Sequence, residues 1–93
     1  MNKEELKAKA SQKIDEVSAK INELKAKKAS VEGEAKQKYE ESLSELNDRK
    51  ADLESSFDQI KNSAEEQLAE AKTDFEKASH ALESGMKKIA NIV

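Results

Sequence analysis

The sequence contains no cysteine, proline or tryptophan, and it has only two glycines and three aromatic residues. Without cysteine, a disulfide, a thiolate metal site and thiol chemistry are all excluded. Three aromatic side chains cannot build a large globular core. No apolar run approaches the 18 or so residues that a membrane-spanning helix needs. The opening residues, MNKEELKAKA, are charged and lack the apolar segment of a secretory signal, so a cytoplasmic location is expected.

The charge balance also excludes some functions. Seventeen basic residues nearly offset twenty acidic ones, and the chain has a net charge of −3 and a pI near 5.3. Nucleic-acid binding normally uses a basic surface rich in arginine, with aromatic side chains for stacking. This chain has one arginine and scattered aromatics, so a nucleic-acid partner is not expected.

What the chain does have is typical of a long helix. Ala, Glu, Lys, Leu and Arg make up 52 of its 93 residues, a share characteristic of coiled coils when the apolar period is helical. Leu, Ile, Val and Phe total only 17, which lies in the range where disorder begins, but the high net charge of a disordered chain is missing. A folded helical chain is therefore favoured over a fully solvated one.

The apolar residues recur at helical spacing from residue 14 to the end of the chain. The mean interval is about 3.6 residues once Lys28 and Lys50 are counted at the two positions where the series skips. Residues 14–35 keep a heptad alternation, and runs of four-residue intervals follow at 31–43, 60–68 and 78–86. We predict a single all-α domain, 1–93, of long amphipathic helices in a helical hairpin or coiled-coil bundle.

Fourteen large apolar residues of this series form the candidate interaction surface, which we call the seam. The seam is predicted to supply the apolar contact with other helices, in this chain, in a second copy as a homo-oligomer, or in another helical protein. Its residues are Ile14, Val17, Ile21, Leu24, Val31, Leu43, Leu46, Leu53, Phe57, Ile60, Leu68, Phe75, Leu82 and Ile89.

Gly33 is the first of two candidate breaks in the helix. The apolar spacing 31–35–39 runs straight past it, and the oppositely charged pairs Lys28–Glu32 and Glu32–Lys36 stand at pairing distance around it. A glycine inside a helix costs only about 1 kcal/mol relative to alanine. These features favour a helix that continues through Gly33 over a turn there, although glycine is also the usual residue just past a helix end.

The second candidate break lies at Asn62–Ser63, in the segment KNSAEEQ. Ser63 followed by Glu66 fits the capping box, in which the two side chains satisfy free backbone N–H groups at a helix start. If both breaks exist, helices of about 3–29, 34–61 and 63–91 form a three-helix bundle. If only the second exists, a helix of about 60 residues extends for about 90 Å, and its apolar stripe requires a second chain.

From about Ile14 onward the chain resembles the small bacterial stress-associated coiled-coil proteins, first noticed among cyanobacterial stress-induced proteins. The resemblance lies in KINELKAKKASVEGEAKQKYEESLSELNDRKADLE followed by SAEEQLAEAKTDFEKASHALESGMKKI. It includes the lone Tyr39 that leads a heptad run and the break near Ser63. The chain departs from the family pattern in having no tryptophan in the last helix and in carrying Gly33. The resemblance implies a non-enzymatic accessory protein linked to stress and supplies no site residues.

No catalytic, cofactor or metal site is predicted. His80 is the only histidine, and the residue three before it is Lys77 rather than the glutamate of a di-iron helix motif, so we interpret it as a surface histidine. No phosphate-binding loop or nucleophile motif occurs. We therefore predict a non-enzymatic structural or protein-interaction protein. The alternative is reversible binding to a membrane surface, through the lysine-rich residues 3–31 and the final KKIANIV.

Overall fold

The computed structural model describes residues 2–92, which fold into three α-helices that pack side by side. They are α1 (Lys3–Lys27), α2 (Glu34–Asn62) and α3 (Leu68–Ala90), with short 3₁₀ turns at Lys28–Ser30 and Glu65–Gln67. The bundle measures 51 × 17 × 16 Å. That length matches the roughly 43 Å expected of the 29-residue α2 plus its turns. The predicted all-α bundle is confirmed, in its three-helix form.

The start of α1 is fixed by a side-chain cap. Asn2 is extended, and its Oδ1 accepts hydrogen bonds from the backbone N–H groups of Glu4 at 2.9 Å and Glu5 at 3.3 Å. Two of the four free N–H groups of the first turn are thereby satisfied. The carboxylates of Glu4 and Glu5 also lie near the positive end of the helix dipole, which favours the same starting point.

The prediction that a helix continues through Gly33 was wrong. The chain leaves the helical conformation at Val31, which is extended, and Gly33 has a φ of +69° and a ψ of −148° just before α2 begins. L-residues rarely adopt this conformation, whereas glycine does so readily. A Cβ built on Gly33 would meet no atom within 4 Å, so the backbone conformation, not space, calls for glycine here. The apolar spacing missed the turn because it records which residues face the core, and Val31 faces the core from the turn itself.

The second break was placed correctly, but its predicted chemistry was wrong. Ser63 ends α2 instead of capping α3: its N–H bonds to the carbonyl of Ile60 and its hydroxyl donates to the carbonyl of Gln59. Ser63 and Ala64 are both extended, and no capping box forms with the following residues. The carbonyl of Ser63 accepts a 2.9 Å hydrogen bond from the Lys3 ammonium, which ties the start of α1 to this turn.

The core runs along the long axis of the bundle, and α2 is its central element. Both α1 and α3 pack chiefly on α2, whereas the contact between α1 and α3 is much less extensive. Since the chain reverses direction at each turn, α1 and α3 run the same way. The two outer helices therefore stand side by side with a partly open space between them.

Candidate functional site

The seam lies inside the bundle. Twelve of its fourteen residues are buried, and the other two, Ile14 and Phe57, are partly buried and pack against the same core. The three helices of one chain thus cover the seam by packing against one another. No large apolar side chain is fully exposed among residues 2–92.

Several buried residues were not in the predicted seam. Leu6 and Ala10 extend the core toward the start of α1, and the 6–10–14 spacing, which continues the same period, is the signal that could have found them. Tyr39 and Ala71 belong to the apolar series but were not assigned to the seam. Buried Gly85 carries no apolar side chain, so a search for hydrophobic residues could not have detected it.

The two lysines that interrupt the apolar series are both half-buried. The Lys28 ammonium lies 3.6 Å from Oε1 of Glu40, and its side chain keeps 45% of its exposure. Lys28 therefore runs its methylene stem along the core edge and places its charge at the surface, as a long cationic side chain does when it occupies an apolar stripe. Compared with an apolar residue at this position, Lys28 gives up one core contact at the end of α1 and makes a surface ion pair with Glu40 of α2.

Tyr39 links α2 to the end of α1. Its side chain is almost wholly buried, and its hydroxyl donates a 2.6 Å hydrogen bond to the backbone carbonyl of Leu24. That carbonyl needs a donor because the Lys28 N–H bonds to Lys25 instead, as the helix tightens into its 3₁₀ turn. Burial raises the pKa of the Tyr39 phenol. The lone tyrosine thus satisfies a carbonyl at the end of α1 that would otherwise be unpaired.

Gly85 and Arg49 make a close contact between α2 and α3. A Cβ at Gly85 would lie only 2.8 Å from both Nη1 of Arg49 and Cδ2 of Leu46. Through the space that glycine leaves, Nη1 of Arg49 donates a 2.6 Å hydrogen bond to the Ala81 carbonyl, while Nη2 bonds to Glu45 at 2.6 Å. The only arginine of the chain therefore bonds to α3 through Nη1, while Glu45 on its own helix binds Nη2, a forked arrangement that lysine could not reproduce.

The partly open space between the outer helices forms the candidate interaction site, which we call the α1–α3 groove. Its walls are residues 6–20 of α1 and 72–87 of α3. One half is a cavity of about 220 Å³ beside Leu6, Ala10 and Phe75, and the other is a cavity of about 370 Å³ beside Val17 and Met86. The groove is shallow, since these apolar side chains are mostly buried beneath it.

Lys13 and Glu83 bridge the groove near its middle. The Lys13 ammonium lies 2.6 Å from Oε1 of Glu83, and Lys13 lines both cavities. The hydrogen bond and charge of Lys13 lower the pKa of Glu83 below its usual 4.5, despite some opposing desolvation. Both side chains remain about one-third exposed or more, so the ion pair is a weak tie in water.

The ion pair of Lys13 with Glu83 predicts that the chain loses stability in acid. The contribution of Glu83 is present above pH 4.5, where both folded and unfolded carboxyls are ionised, and it is lost as the pH falls through the lower folded-state pKa. Glu83→Gln is expected to change the urea midpoint slightly at neutral pH and to reduce its fall below pH 4.5. Glu70→Gln, at an exposed position of the same helix, is the control. Identical acid profiles for wild type and Glu83→Gln would contradict the bridge.

The groove is positively charged, although the whole chain is acidic. Five lysines and three glutamates line it, while the chain carries a net charge of −3. The excess lies on α1, whose three lysines outnumber one glutamate, whereas α3 contributes two lysines and two glutamates. His80 is exposed beside the first cavity, as the interpretation of a surface histidine requires.

A further cavity, at the turn between α2 and α3, is polar and acidic. It lies beside Asp58, Glu70 and Asp74, among serine, asparagine and glutamine side chains. In the part of the chain that the structure describes, no group of three or more His, Asp or Glu side chains is arranged to hold a metal ion. This cavity therefore adds no chemical site to the α1–α3 groove.

Comparisons with known proteins assign no family to this arrangement. No protein-family model matches the chain, and neither the curated proteins nor the solved structures searched contain a significant match. Within residues 2–92, none of the helices combines the length and the apolar character that crossing a bilayer requires. The groove, the buried seam and the surface charges thus remain the observations from which function is inferred.

Proposed function

We propose that the protein is a non-enzymatic interaction protein that binds an amphipathic helix of another protein in the α1–α3 groove. The bound helix has an apolar stripe flanked by glutamates or aspartates. The observation that carries the proposal is the groove itself, where two same-direction helices stand apart over an apolar floor in a chain whose other surfaces are polar.

Helix packing explains why a helix is the expected occupant. Two helices side by side present a longitudinal groove, and a third helix can place a row of side chains into it. Here the floor offers Leu6, Phe75 and Met86 along the groove, so a helix with apolar residues three and four apart could contact both cavities. The bound helix would become the fourth member of a bundle, which is a common helical architecture.

Charge complementarity selects an acidic helix. Lys9 and Lys20 lie on the α1 wall, and Lys72 and Lys87 lie on the α3 wall. Lys72 also pairs with Glu76 at 3.8 Å, so the excess of positive charge lies on the α1 wall. Acidic residues beside the partner's apolar stripe would face that wall, whereas a basic helix would be repelled there. Since such pairs lie at the rim, they affect association rate and partner choice more than final affinity.

The biological setting rests on the resemblance to stress-associated coiled-coil proteins. On that resemblance we propose that the partner is recognised during stress and that the protein acts by contact alone. The proposed location is the cytoplasm, as expected from the sequence.

Two synthetic helical peptides test the proposal, with the same leucine stripe and either glutamate or lysine flanks. The glutamate peptide is expected to bind and to bind less well in high salt, while the lysine peptide does not bind. Lys9→Glu combined with Lys72→Glu should weaken binding about tenfold. Lys36→Glu combined with Lys38→Glu, on exposed positions of α2, changes the net charge equally and should have little effect. Calorimetry or fluorescence anisotropy of labelled peptide measures each affinity.

Anionic phospholipid vesicles distinguish the membrane alternative. Because α1 turns its large apolar side chains into the bundle, lipid binding would require the helix to leave it. Co-sedimentation is expected to leave the protein in the supernatant with unchanged helicity. If the protein pellets with the vesicles and binds neither peptide, the membrane hypothesis replaces the groove hypothesis. Equal binding of both peptides, or of neither without pelleting, would refute the groove as an acidic-helix site.

A further inference from the structure

We infer that α1 can be exchanged between two copies of this chain, with the α1–α2 turn straightening to join both helices into one. In the exchanged dimer, the α1 of each copy lies along the α2 and α3 of the other and makes the contacts it makes in the monomer. Such exchange of an identical element is a low-cost route to a dimer when the hinge permits it, because each native contact is replaced by the same contact between chains. The inference does not depend on the α1–α3 groove, which exists in both forms.

The first supporting observation is that the apolar stripe keeps its helical phase across the turn. Leu24 and Val31 are seven residues apart, Val31 and Tyr39 eight, and Tyr39 and Leu46 seven, each about two helical turns. All four are buried in the monomer. If residues 28–33 became helical, the stripes of α1 and α2 would lie on one side of a single helix, as the exchange requires. Two helices joined by a reverse turn do not need apolar stripes that share one helical phase.

The hinge itself is short and has few obstacles to straightening. Lys28–Ser30 are already in a 3₁₀ turn, so only residues 31–33 must change from non-helical to helical conformation. Gly33 is the one residue with positive φ among residues 2–92. In a continuous helix, Glu32 stands four residues from both Lys28 and Lys36, so its carboxylate gains two favourable neighbours.

The α1 helix is better suited to exchange than α3. Its contact with the rest of the chain is smaller, because α3 makes the most extensive helix pair, with α2. Two polar contacts of α1 are the hydrogen bond of the Leu24 carbonyl with the Tyr39 hydroxyl and the ion pair of Lys13 with Glu83, and a third joins Lys3 to the Ser63 carbonyl. All three re-form between chains in the exchanged dimer. Residues 3–62 then make a helix of about 90 Å, against the 51 Å length of the monomer.

Two neighbouring substitutions shift the equilibrium in opposite directions. Gly33→Ala disfavours the positive φ of the monomer and favours the continuous helix. Since both chains contribute, the dimer dissociation constant should fall on the order of a thousandfold to ten-thousandfold. Glu32→Pro is the matched variant, and it should shift the equilibrium toward the monomer. Val31, at φ −95° and ψ +132°, suits a residue before proline, and no hydrogen bond from the Glu32 N–H occurs among residues 2–92. Proline inside the continuous helix would break it.

The experiment refolds wild type and both variants at high concentration and measures mass by light scattering and length by small-angle scattering. Wild type is expected as a monomer with a dimer at the highest concentrations. Gly33→Ala should be mainly a dimer near 90 Å long, and Glu32→Pro a monomer throughout. A Gly33→Ala variant that remains a folded monomer at every concentration, or a Glu32→Pro variant that dimerises like wild type, would overturn the inference.

A cross-link separates exchange from simple side-by-side association. A carbodiimide joins the Lys13 amine to the adjacent Glu83 carboxyl as an amide, with loss of water. When ¹⁴N- and ¹⁵N-labelled chains are unfolded together and refolded, the cross-linked peptides of the Gly33→Ala dimer should include mixed-isotope pairs. Monomeric Glu32→Pro should give none. A dimer whose cross-links all join residues of one chain would overturn exchange, whatever its length.

Discussion

Gly85→Leu is expected to destabilise the chain by about 3 kcal/mol. A Cβ alone at this position would lie 2.8 Å from atoms of Arg49 and Leu46, and a full leucine side chain requires both to move. Arg49 then loses its hydrogen bond to the Ala81 carbonyl, and α2 and α3 separate along their main contact. A chain of 93 residues has a total stability of only about 5–14 kcal/mol, so this loss is a large share.

Urea unfolding followed by circular dichroism measures the effect. Ser84→Leu is the matched control, because it introduces the same side chain one residue earlier at an exposed position and should change stability by less than about 0.5 kcal/mol. Arg49→Ala with Gly85→Ala, compared with each single change, tests the coupling directly. If the two substitutions are simply additive, Arg49 does not occupy the space at Gly85.

Much of the fold could be predicted from the sequence, because apolar period and helix propensity are local signals. The apolar spacing that runs through Ile60 and Leu68 identified core-facing residues of α2 and α3, and both are buried as expected. The break at Asn62–Ser63 was also found. Its chemistry was not, since the same Ser63 hydroxyl can accept from the next helix or donate to the carbonyl of Gln59.

The α1–α2 turn could not be predicted from helix propensity and local charge pairs. A single glycine costs a continuous helix about 1 kcal/mol, and the charge pairs around Glu32 offset part of that. The choice between a rod and a hairpin is then made by long-range contacts, such as the hydrogen bond from Tyr39 to Leu24. The period cannot reveal that bond, because it says which residues face inward and not which helix they meet.

The groove was even less accessible to sequence reasoning. Lys9 and Lys72 are ordinary exposed lysines on separate helices, 63 residues apart, and only the register of α1 against α3 places both beside one cavity. The spacing also could not show that α1 and α3 pack less closely than the other helix pairs. Helix-to-helix register depends on how the side chains of two helices pack against each other, which no local pattern encodes.

Tyr39→Phe is expected to lower the free energy of unfolding by about 1–3 kcal/mol at neutral pH. The ring remains and continues to fill the core, but the buried Leu24 carbonyl loses the phenolic donor that satisfies it. The carbonyl that loses its donor lies at the end of α1, where the Lys28 N–H bonds to the Lys25 carbonyl. Hydrogen exchange should therefore speed up most at the last turn of α1. An unchanged urea midpoint would show that the Leu24 carbonyl finds another donor.

The same hydroxyl gives wild type an alkaline dependence that Tyr39→Phe lacks. Below the usual pKa of 10.0, folded and unfolded chains both hold the phenolic proton, and the contribution of Tyr39 to stability is complete. As the pH rises above 10, the unfolded chain releases this proton first, so stability falls until the raised folded-state pKa is passed. Both proteins share every other ionisable group, so the difference between their unfolding curves isolates Tyr39. Wild type should therefore lose stability faster than Tyr39→Phe above pH 10, and parallel curves would refute a buried, hydrogen-bonded Tyr39.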